Sequence, residues 1–288
     1  MSANARLPSV SVIVPVLNET ALIGDFLRRV RSLAPNLEII VVDGGSNDGT
    51  VSIARPLADK TIVTVRGRAL QMNAGAALAH GEILWFLHAD STPPADTVEK
   101  MRAALADLRN AGGCFRLRFP QPHLIYRVSD SLGNLGVKVF GFALGDHGIF
   151  CRRSAFCRIG GYPNVPILED AELYRGLRKV GKMNQLRETI VSDPRTFETW
   201  GRFRTTAVYF LILVLYVAGA PISRLSRIYR RFHRLPLSGS RPPRGSLCLV
   251  PKLHLGMPLL AKLRFANYRH SSQRSNGGTP GAHSCADE

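Results

Sequence analysis

Four acidic residues lie at positions where a carboxylate could bind a ligand or act as a base. Asp43 ends the apolar run LEIIVVD (37–43), Asp90 ends EILWFLHAD (82–90), and Glu169 and Asp170 lie side by side at a predicted helix start. A carboxylate after a buried strand can accept a hydrogen bond from a nucleobase N–H, or hold a cation that bridges a diphosphate. A carboxylate at a helix start can act as a general base. Each position also has a plain structural explanation as a cap or turn, so no single one decides.

The segments around these residues alternate between strand and helix patterns. Strands are predicted at 9–15, 37–43, 61–65 and 82–90, and helices at 21–33, 50–57, 69–79 and from Pro93-Pro94 to about 108. This order predicts an α/β fold with a mainly parallel sheet flanked by helices. Ligands bind at the carboxyl ends of such strands, and polar residues occupy those ends here. Further on the pattern is less regular, with strands predicted near 113–119, 147–151 and 183–191 and a helix over 170–180.

The positive charge of the chain is concentrated near its C-terminus. The net charge is +17, and residues 199–286 hold 14 Lys/Arg and no Asp or Glu. A one-sided basic block suits a polyanion, either nucleic acid or anionic lipid headgroups. No nucleic-acid motif is present and the block adjoins an apolar run, so we expect an anionic membrane surface as partner and no nucleic acid.

That apolar run, Thr205 to Ser223, has 19 uncharged residues. It could be a transmembrane helix, a helix embedded in one leaflet, or a buried core helix. Basic residues on both sides argue against spanning. We expect a helix in one leaflet, with residues 224–234 binding headgroups at the cytoplasmic face of the cell membrane. Residues 235–288 are rich in Pro, Gly, Ser and Arg and are predicted to be a basic, largely disordered tail.

Five blocks, in this order, resemble the family-2 glycosyltransferases over roughly residues 9–205. They are SVIVPVLNE (11–19), VVDGGSNDGT (41–50), GRALQMNAGAALAHGEILWFLHADS (67–91), GIFCRRSAFCRIGGYP (148–163) and LEDAEL (168–173). The resemblance implies a GT-A fold and inverting sugar transfer. The donor would be a nucleotide diphosphate, with UDP-sugar expected, and the acceptor membrane-associated or lipid-type. It also divides the chain into a catalytic domain (1–204), a membrane-associated helix with a basic flank (205–234) and the tail (235–288).

The resemblance also implies roles for individual residues. Asp170 is similar to the family's catalytic base, supported by Glu169, and Asp90 to the last aspartate of its DXD motif, which binds a divalent metal (Mn or Mg). The remaining expected contacts to the donor nucleotide are Pro15, Leu17, Glu19, Asp43 and Arg68. Flanking positions that match the family's blocks or loops near the substrates are Asn73, Gly75, Asp146, His147, Arg195, Phe197 and Trp200.

Two residues depart from the family pattern. Gly44 stands where the base-binding loop usually has a second Asp, and His88 stands at the first Asp of DXD. The pattern LHADS with GDxGIFxRR resembles a bacterial subfamily that shares the second change and is similar to carotenoid-acid glycosyltransferases. These departures keep open the alternative of a catalytically silent protein that binds nucleotide sugars on the same fold.

Overall fold

The computed structural model describes residues 7–233, which contain eight strands and ten α-helices. The strands are β1 (Val10–Val16), β2 (Glu38–Asp43), β3 (Lys60–Val63), β4 (Ile83–Phe86), β5 (Ser91–Thr92), β6 (Asn110–Arg118), β7 (Phe150–Arg152) and β8 (Lys182–Ser192). The α-helices are α1 (Ile23–Leu33), α2 (Thr50–Ala54), α3 (Arg68–Leu78), α4 (Thr97–Ala104), α5 (Leu124–Leu135), α6 (Arg153–Arg158), α7 (Glu169–Val180), α8 (Arg195–Trp200), α9 (Arg202–Val217) and α10 (Ile222–His233).

The strands form one mixed sheet in the order β3-β2-β1-β4-β7-β6-β8-β5. The first half is parallel, as predicted: β1 pairs with β2 and β4, and β2 with β3. In the second half β7 runs antiparallel between β4 and β6, and β5 runs antiparallel to β8. Strands β6 and β8 of this half run parallel to each other. The sheet is therefore mixed, and the prediction of a mainly parallel sheet was wrong for β5 and β7, because apolar periodicity identifies a strand but does not fix its direction.

The sheet is buried on both faces because alternate side chains of its strands enter different cores. On one face Val12, Val41 and Trp85 pack with residues of α1 and α4. On the other face Ile13 and Phe86 pack with residues of α3, α6 and α7. Two covered faces explain why the strands read as continuous apolar runs and not as alternating ones.

Helix α3 packs closely on the sheet because it carries Gly75. A Cβ at Gly75 would lie 2.5 Å from Cγ2 of Ile13 and 2.9 Å from Cγ2 of Val42. Such an approach is too short for any larger residue. The close contact fixes the start of α3, with Arg68, beside the carboxyl ends of β1 and β2.

The apolar run at 205–223 does not form one continuous helix. Helix α9 ends at Val217, Gly219 adopts a left-handed conformation (φ +83°), and Pro221 precedes α10. Within residues 7–233, no helix is both long and apolar enough to cross a membrane. Instead, the inner faces of α9 and α10 share an apolar cluster with side chains such as Phe142 and Ile167. The predicted disordered tail (235–288) lies outside the described residues.

Helix α5 and the turn after it were not predicted. The segment 124–135 contains Ser, Gly and Asn among its apolar residues, which weakens a helical pattern. A π-helical turn (Gly136–Phe140) follows it, and a short 3-10 turn (Gly145–His147) leads into β7. These turns carry Asp146 towards the carboxyl ends of the strands.

Candidate active site

The loops after β1 and β2 are joined to each other at the carboxyl edge of the sheet. Asp43 lies opposite Val16 in the strand register and is fully buried. Its carboxylate accepts hydrogen bonds from the backbone N–H of Gly45 (2.8 Å) and Ser46 (2.7 Å), and from the Ser46 hydroxyl. The backbone N–H of Asn18 donates to the Ser46 hydroxyl at 2.8 Å. Pro15 and Leu17 lie at this same edge, so the predicted nucleotide loop is one connected structure.

Gly44, which departs from the family pattern, lies against the side chain of Gln71. A Cβ at Gly44 would lie 3.1–3.2 Å from the side-chain amide of Gln71. That amide donates to the carbonyl oxygens of Val16 (3.0 Å) and Val42 (2.8 Å), which ties α3 to both strands. Gln71 thus occupies the space beside this glycine. No sequence signal pointed to Gln71, since its partners are 29 and 55 residues away.

Arg68 is the central cation of the site. Its guanidinium lies 3.0 Å from Nδ1 of His88 and 3.7 Å from Oε1 of Glu169. His88 is buried, and its Nδ1 also lies 3.5 Å from a carboxylate oxygen of Asp146. Burial, and next the charge of Arg68, hold the pKa of His88 well below its ordinary value. The imidazole is therefore neutral, with Nδ1 accepting from Arg68.

Asp170 is a buried carboxylate with an elevated pKa. Burial raises its pKa to about 7, the charge of Glu169 adds to the rise, and Arg68 and the hydroxyl of Tyr162 oppose it. The Tyr162 hydroxyl donates to Oδ1 at 3.0 Å. On its other side, a Cβ at Gly145 would lie only 2.6 Å from Oδ2. A pKa near neutrality is the property expected of a general base.

The backbone just before this carboxylate is strained. Leu168 has φ +61° and ψ +24°, a left-handed conformation that is rare for a branched residue, and α7 begins at Glu169. Such strain costs on the order of 1–3 kcal/mol and is found most often at functional sites. The conformation starts α7 so that Glu169 and Asp170 both line the cavity described below.

Tyr162 is a residue of the site whose role was not predicted. Its backbone N–H donates to Oδ1 of Asn73 at 2.8 Å, and its carbonyl accepts from Nδ2 of the same side chain at 2.9 Å. Gly161, in a left-handed conformation (φ +78°), allows this approach, because a Cβ there would lie 2.6 Å from Oδ1 of Asn73. Asn73, which matches a position of the family's blocks, thus holds Tyr162 against Asp170.

Asp90 and Glu19 are linked through Arg195. The Arg195 guanidinium lies 3.1 Å from Glu19, 3.4 Å from Asp193 and 3.6 Å from Oδ2 of Asp90. Burial raises the pKa of Asp90 to about 6, and the nearby charge of Asp146 adds to the rise, while Arg195 opposes it. Burial also raises the pKa of Glu19, again against Arg195. The loop after β8 is therefore bound to the end of β1.

One cavity of about 190 Å³ joins the charged residues to an apolar wall. Its charged end is lined by Arg68, Asp90, Asp146, Glu169 and Asp170. Its apolar part includes Ile167, Leu168, Phe197, Tyr209, Ile212 and Leu213. Of the predicted site residues, Arg68, Asp90, Glu169 and Asp170 thus share one cavity. Pro15, Leu17, Glu19 and Asp43 lie on the neighbouring loops and not on its wall. His147 is fully buried elsewhere, and burial lowers its pKa to about 4.

Asp90 is the residue best placed to hold a cation. Within residues 7–233, no group of three or more His, Cys, Asp and Glu side chains could hold a metal ion. Oδ1 of Asp90, however, is buried and has no hydrogen-bond partner. An unpaired carboxylate oxygen fits a cation that takes its remaining ligands from a diphosphate and water.

The sequence is similar to known proteins of one family. The profile of glycosyl transferase family 2 matches residues 11–158, just over half of the chain. A Bacillus subtilis protein named probable glycosyltransferase YdaM is 25% identical over 234 residues, which cover 69% of this chain and 54% of that protein. The undecaprenyl-phosphate 4-deoxy-4-formamido-L-arabinose transferase of Aeromonas hydrophila is 29% identical over 162 residues, covering 52% and 49% of the two chains. The chain thus spans about half the length of these curated relatives.

A solved structure has the same fold. The mannosyltransferase PcManGT from Pyrobaculum calidifontis, in complex with GDP-Man and Mn²⁺, matches with a TM-score of 0.59 at 23% identity, over 80% of this chain and 71% of that one. The fold is therefore the GT-A-like α/β fold, with a mixed sheet flanked by helices. Since the family profile covers just over half of the sequence, the chain belongs to glycosyl transferase family 2.

Proposed function

We propose that the enzyme transfers a sugar, with inversion, from a nucleoside diphosphate to a hydroxyl on a lipid-type or membrane-associated acceptor. The observation that carries this proposal is the shape of the cavity. Charged side chains line it, among them a carboxylate with a pKa of about 7, together with a set of apolar side chains. A charged donor and an apolar acceptor can therefore meet at Asp170.

Asp170 is the proposed base of a single displacement. One of its carboxylate oxygens takes the proton of the acceptor hydroxyl while the acceptor oxygen attacks the anomeric carbon. The bond from that carbon to the diphosphate breaks, and the configuration inverts. Tyr162 fixes the carboxylate by its hydrogen bond, and Glu169 raises its basicity.

The donor would bind along the edge formed by the ends of β1, β2 and β4. Pro15, Leu17 and Asp43 would contact the base and ribose, with uracil as the first candidate. Arg68 and Arg195 supply positive charge towards the diphosphate. The solved relative bound to GDP-Man supports a nucleotide sugar as donor class, so both UDP-sugars and GDP-sugars belong in the test.

A divalent cation, Mn or Mg, would be held by Asp90 through its unpaired Oδ1. When bound, it would offset the charge that develops on the departing diphosphate. Mn²⁺ in the solved relative supports this part of the proposal. His88, neutral and paired with Arg68, would position Arg68 and would not itself carry charge.

The acceptor is proposed from the apolar wall together with one relative. The name of the Aeromonas hydrophila enzyme states undecaprenyl phosphate as its substrate. The motifs LHADS and GDxGIFxRR, similar to those of carotenoid-acid glycosyltransferases, also favour an apolar acceptor. The proposed place of action is the cytoplasmic face of the cell membrane, where the basic segment would contact anionic lipids.

The proposal is tested by screening UDP- and GDP-sugars for thermal stabilisation with and without Mn²⁺, followed by assays of sugar release to water and of transfer. We expect one donor class to stabilise the protein and to turn over. Asp170→Asn should abolish turnover while donor binding is retained. Asp90→Ala should weaken the Mn²⁺-dependent binding measured by calorimetry. A donor that binds but is never turned over would instead support the catalytically silent alternative.

A further inference from the structure

The exposed apolar side chains of the protein are concentrated on two segments. Residues 7–233 include fifteen large hydrophobic side chains that are exposed, and ten of them lie within 124–140 and 203–217. These ten are Leu124, Val128, Leu135, Val139, Phe140, Phe203, Phe210, Leu211, Val214 and Val217. The first segment is α5 with its π-helical turn, and the second is α9. Clusters of this kind mark binding surfaces more often than isolated exposed residues do.

The two segments are neighbours in space although they are about 75 residues apart in sequence. The hydroxyls of Ser129 and Thr206 lie 3.2 Å apart, and the Arg202 guanidinium lies 5.6 Å from the ring centre of Tyr126. At the start of both helices the rings of His123 and Phe203 are 6.3 Å apart. Helices α5 and α9 therefore lie side by side, and we name their exposed apolar side chains, with those of the π-helical turn, the α5–α9 face.

Helix α9 carries apolar residues on two sides. Ile212 and Leu213 line the cavity, whereas Phe210 and Val214 are exposed (49% and 46%). The exposed positions recur at helical spacing along its length. Sixteen residues span about 24 Å, less than the roughly 30 Å of a bilayer core. This geometry suits a helix that lies along a membrane surface with one side in lipid.

The exposed charges carried by α5, the π-helical turn, α9 and α10 themselves are basic. Arg127, Lys138 and Arg202 are exposed on it or at its ends. The exposed cations of α10, which packs against α9, are Arg224, Arg227 and Arg231. The one acidic residue within α5, the π-helical turn, α9 and α10 is Asp130, which is buried. An apolar face with basic neighbours complements an anionic lipid surface.

We propose that the α5–α9 face is the surface on which the enzyme docks onto an anionic lipid bilayer. Docking presses α5, the π-helical turn and the outer side of α9 into the headgroup region, while the inner side of α9 continues to line the cavity. This inference rests on the proposed function for the acceptor, and it adds α5 and its turn to the C-terminal helices as membrane contacts. The lipid surface and the acceptor cavity then lie on opposite sides of one helix.

The test is co-sedimentation of the full chain with vesicles of phosphatidylcholine containing 30% phosphatidylserine, and with phosphatidylcholine alone. Leu124→Ser combined with Val139→Ser removes two side chains that are 75% and 61% exposed. We expect binding to the anionic vesicles to fall at least tenfold. The matched control is Leu7→Ser with Leu108→Ser, at positions 65% and 85% exposed outside this face, which should bind as the unchanged protein does.

Other outcomes would overturn the proposal. Equal binding by both double variants would mean that the basic segments act without the α5–α9 face. A change of oligomeric state in the Leu124/Val139 variant, with vesicle binding unchanged, would identify a second copy as the occupant. Release of sugar from the donor in vesicle-free buffer, measured on the same samples, tests the proposed function separately, because neither pair of residues lines the cavity.

Discussion

The buried position of Asp170 disfavours the negative charge of its carboxylate. Its pKa in the folded protein is about 7, above its ordinary value of 3.8. Between these two values the folded state binds more protons than the unfolded state, so stability falls as the pH rises from about 4 to 7. A group that is kept ready to accept a proton therefore lowers the stability of the fold at neutral pH.

Replacing this carboxylate should stabilise the protein. Asp170→Asn should raise the free energy of unfolding at pH 8 by on the order of 2–4 kcal/mol, because the buried charge is gone. The gain should shrink as the pH falls and disappear below about pH 3, where the carboxyl group is largely protonated in both states. Urea denaturation at several pH values measures this. Asp25→Asn, at an exposed position paired with Arg28, is the control and should show no comparable gain; a pH-independent difference for Asp170→Asn would contradict the argument.

The hydroxyl of Tyr162 should tune the pH dependence of transfer. It donates to Asp170 and so favours the charged form. In the unchanged enzyme, kcat/KM should rise with pH up to about 7 as the base loses its proton. In Tyr162→Phe that rise should move upward by about one pH unit, since a hydrogen bond to a charged group is lost. A profile that moves downward, or not at all, would exclude this role.

Two glycines in helices differ in how closely their helices pack against neighbouring elements. A Cβ at Gly75 of α3 would collide with Ile13 and Val42 in the core, whereas one at Gly24 of α1 would meet Ile53 at an ordinary 3.4 Å. Gly75→Ala should therefore destabilise the fold by about 1–3 kcal/mol. Gly24→Ala should stabilise it by about 0.5–1 kcal/mol, because alanine favours a helix. Chemical denaturation of both variants is the measurement, and equal effects would contradict the packing.

Two leucines of α9 lie on opposite sides of the helix, one in the cavity wall and one at the surface. Leu213 lines the cavity, and Leu211 is 46% exposed on the other side of the helix. Leu213→Gln should raise the KM for an apolar acceptor about tenfold, because it places an amide against the apolar part of the acceptor. Leu211→Gln should leave KM unchanged in detergent-free solution with a short-chain acceptor. If the two variants behave alike, the apolar wall does not bind the acceptor.

The helices and strands that have strong local sequence patterns were predicted correctly. The apolar runs of β1 and β2 and the amphipathic pattern of α1 carry strong local signals, and the structure places these elements within one or two residues of the predicted bounds. The antiparallel direction of β7 and the contact of Tyr162 with Asp170 depend on long-range packing, which no local pattern encodes. The run at 205–223 was predicted as one helix because the left-handed conformation of Gly219 is not visible from apolar content alone.

At the scale of the whole molecule, the catalytic and C-terminal segments share one apolar cluster. Phe142 and Ile167 of the catalytic segment pack with Ile212, Tyr216 and other side chains of α9 and α10. The division at residue 204 between a catalytic domain and a membrane-associated helix stays a prediction. The resemblance of sequence blocks predicted roles for the donor loops and for Asp170, but it could not show that later helices line the same cavity as Asp170.

A shortened chain tests how far these parts depend on each other. A chain that ends after residue 204 should lose the partners of Phe142 and Ile167 and expose them to water. We expect its melting temperature to fall by about 5–10 °C and its binding of a dye for apolar surfaces to increase. Unchanged melting and dye binding would support an independent catalytic domain that ends at residue 204.

Two of the charged residues of the cavity come from a different stretch of the chain than most of its apolar wall. Arg68 and Asp90 precede β6, whereas most of the apolar wall, from Ile167 to Leu213, follows β7. Under the proposed function, genetic recombination between these stretches could pair an old donor preference with a new acceptor preference. Chimeras joined in the turn before β6 would be the natural starting point for redirecting the enzyme to other alcohols.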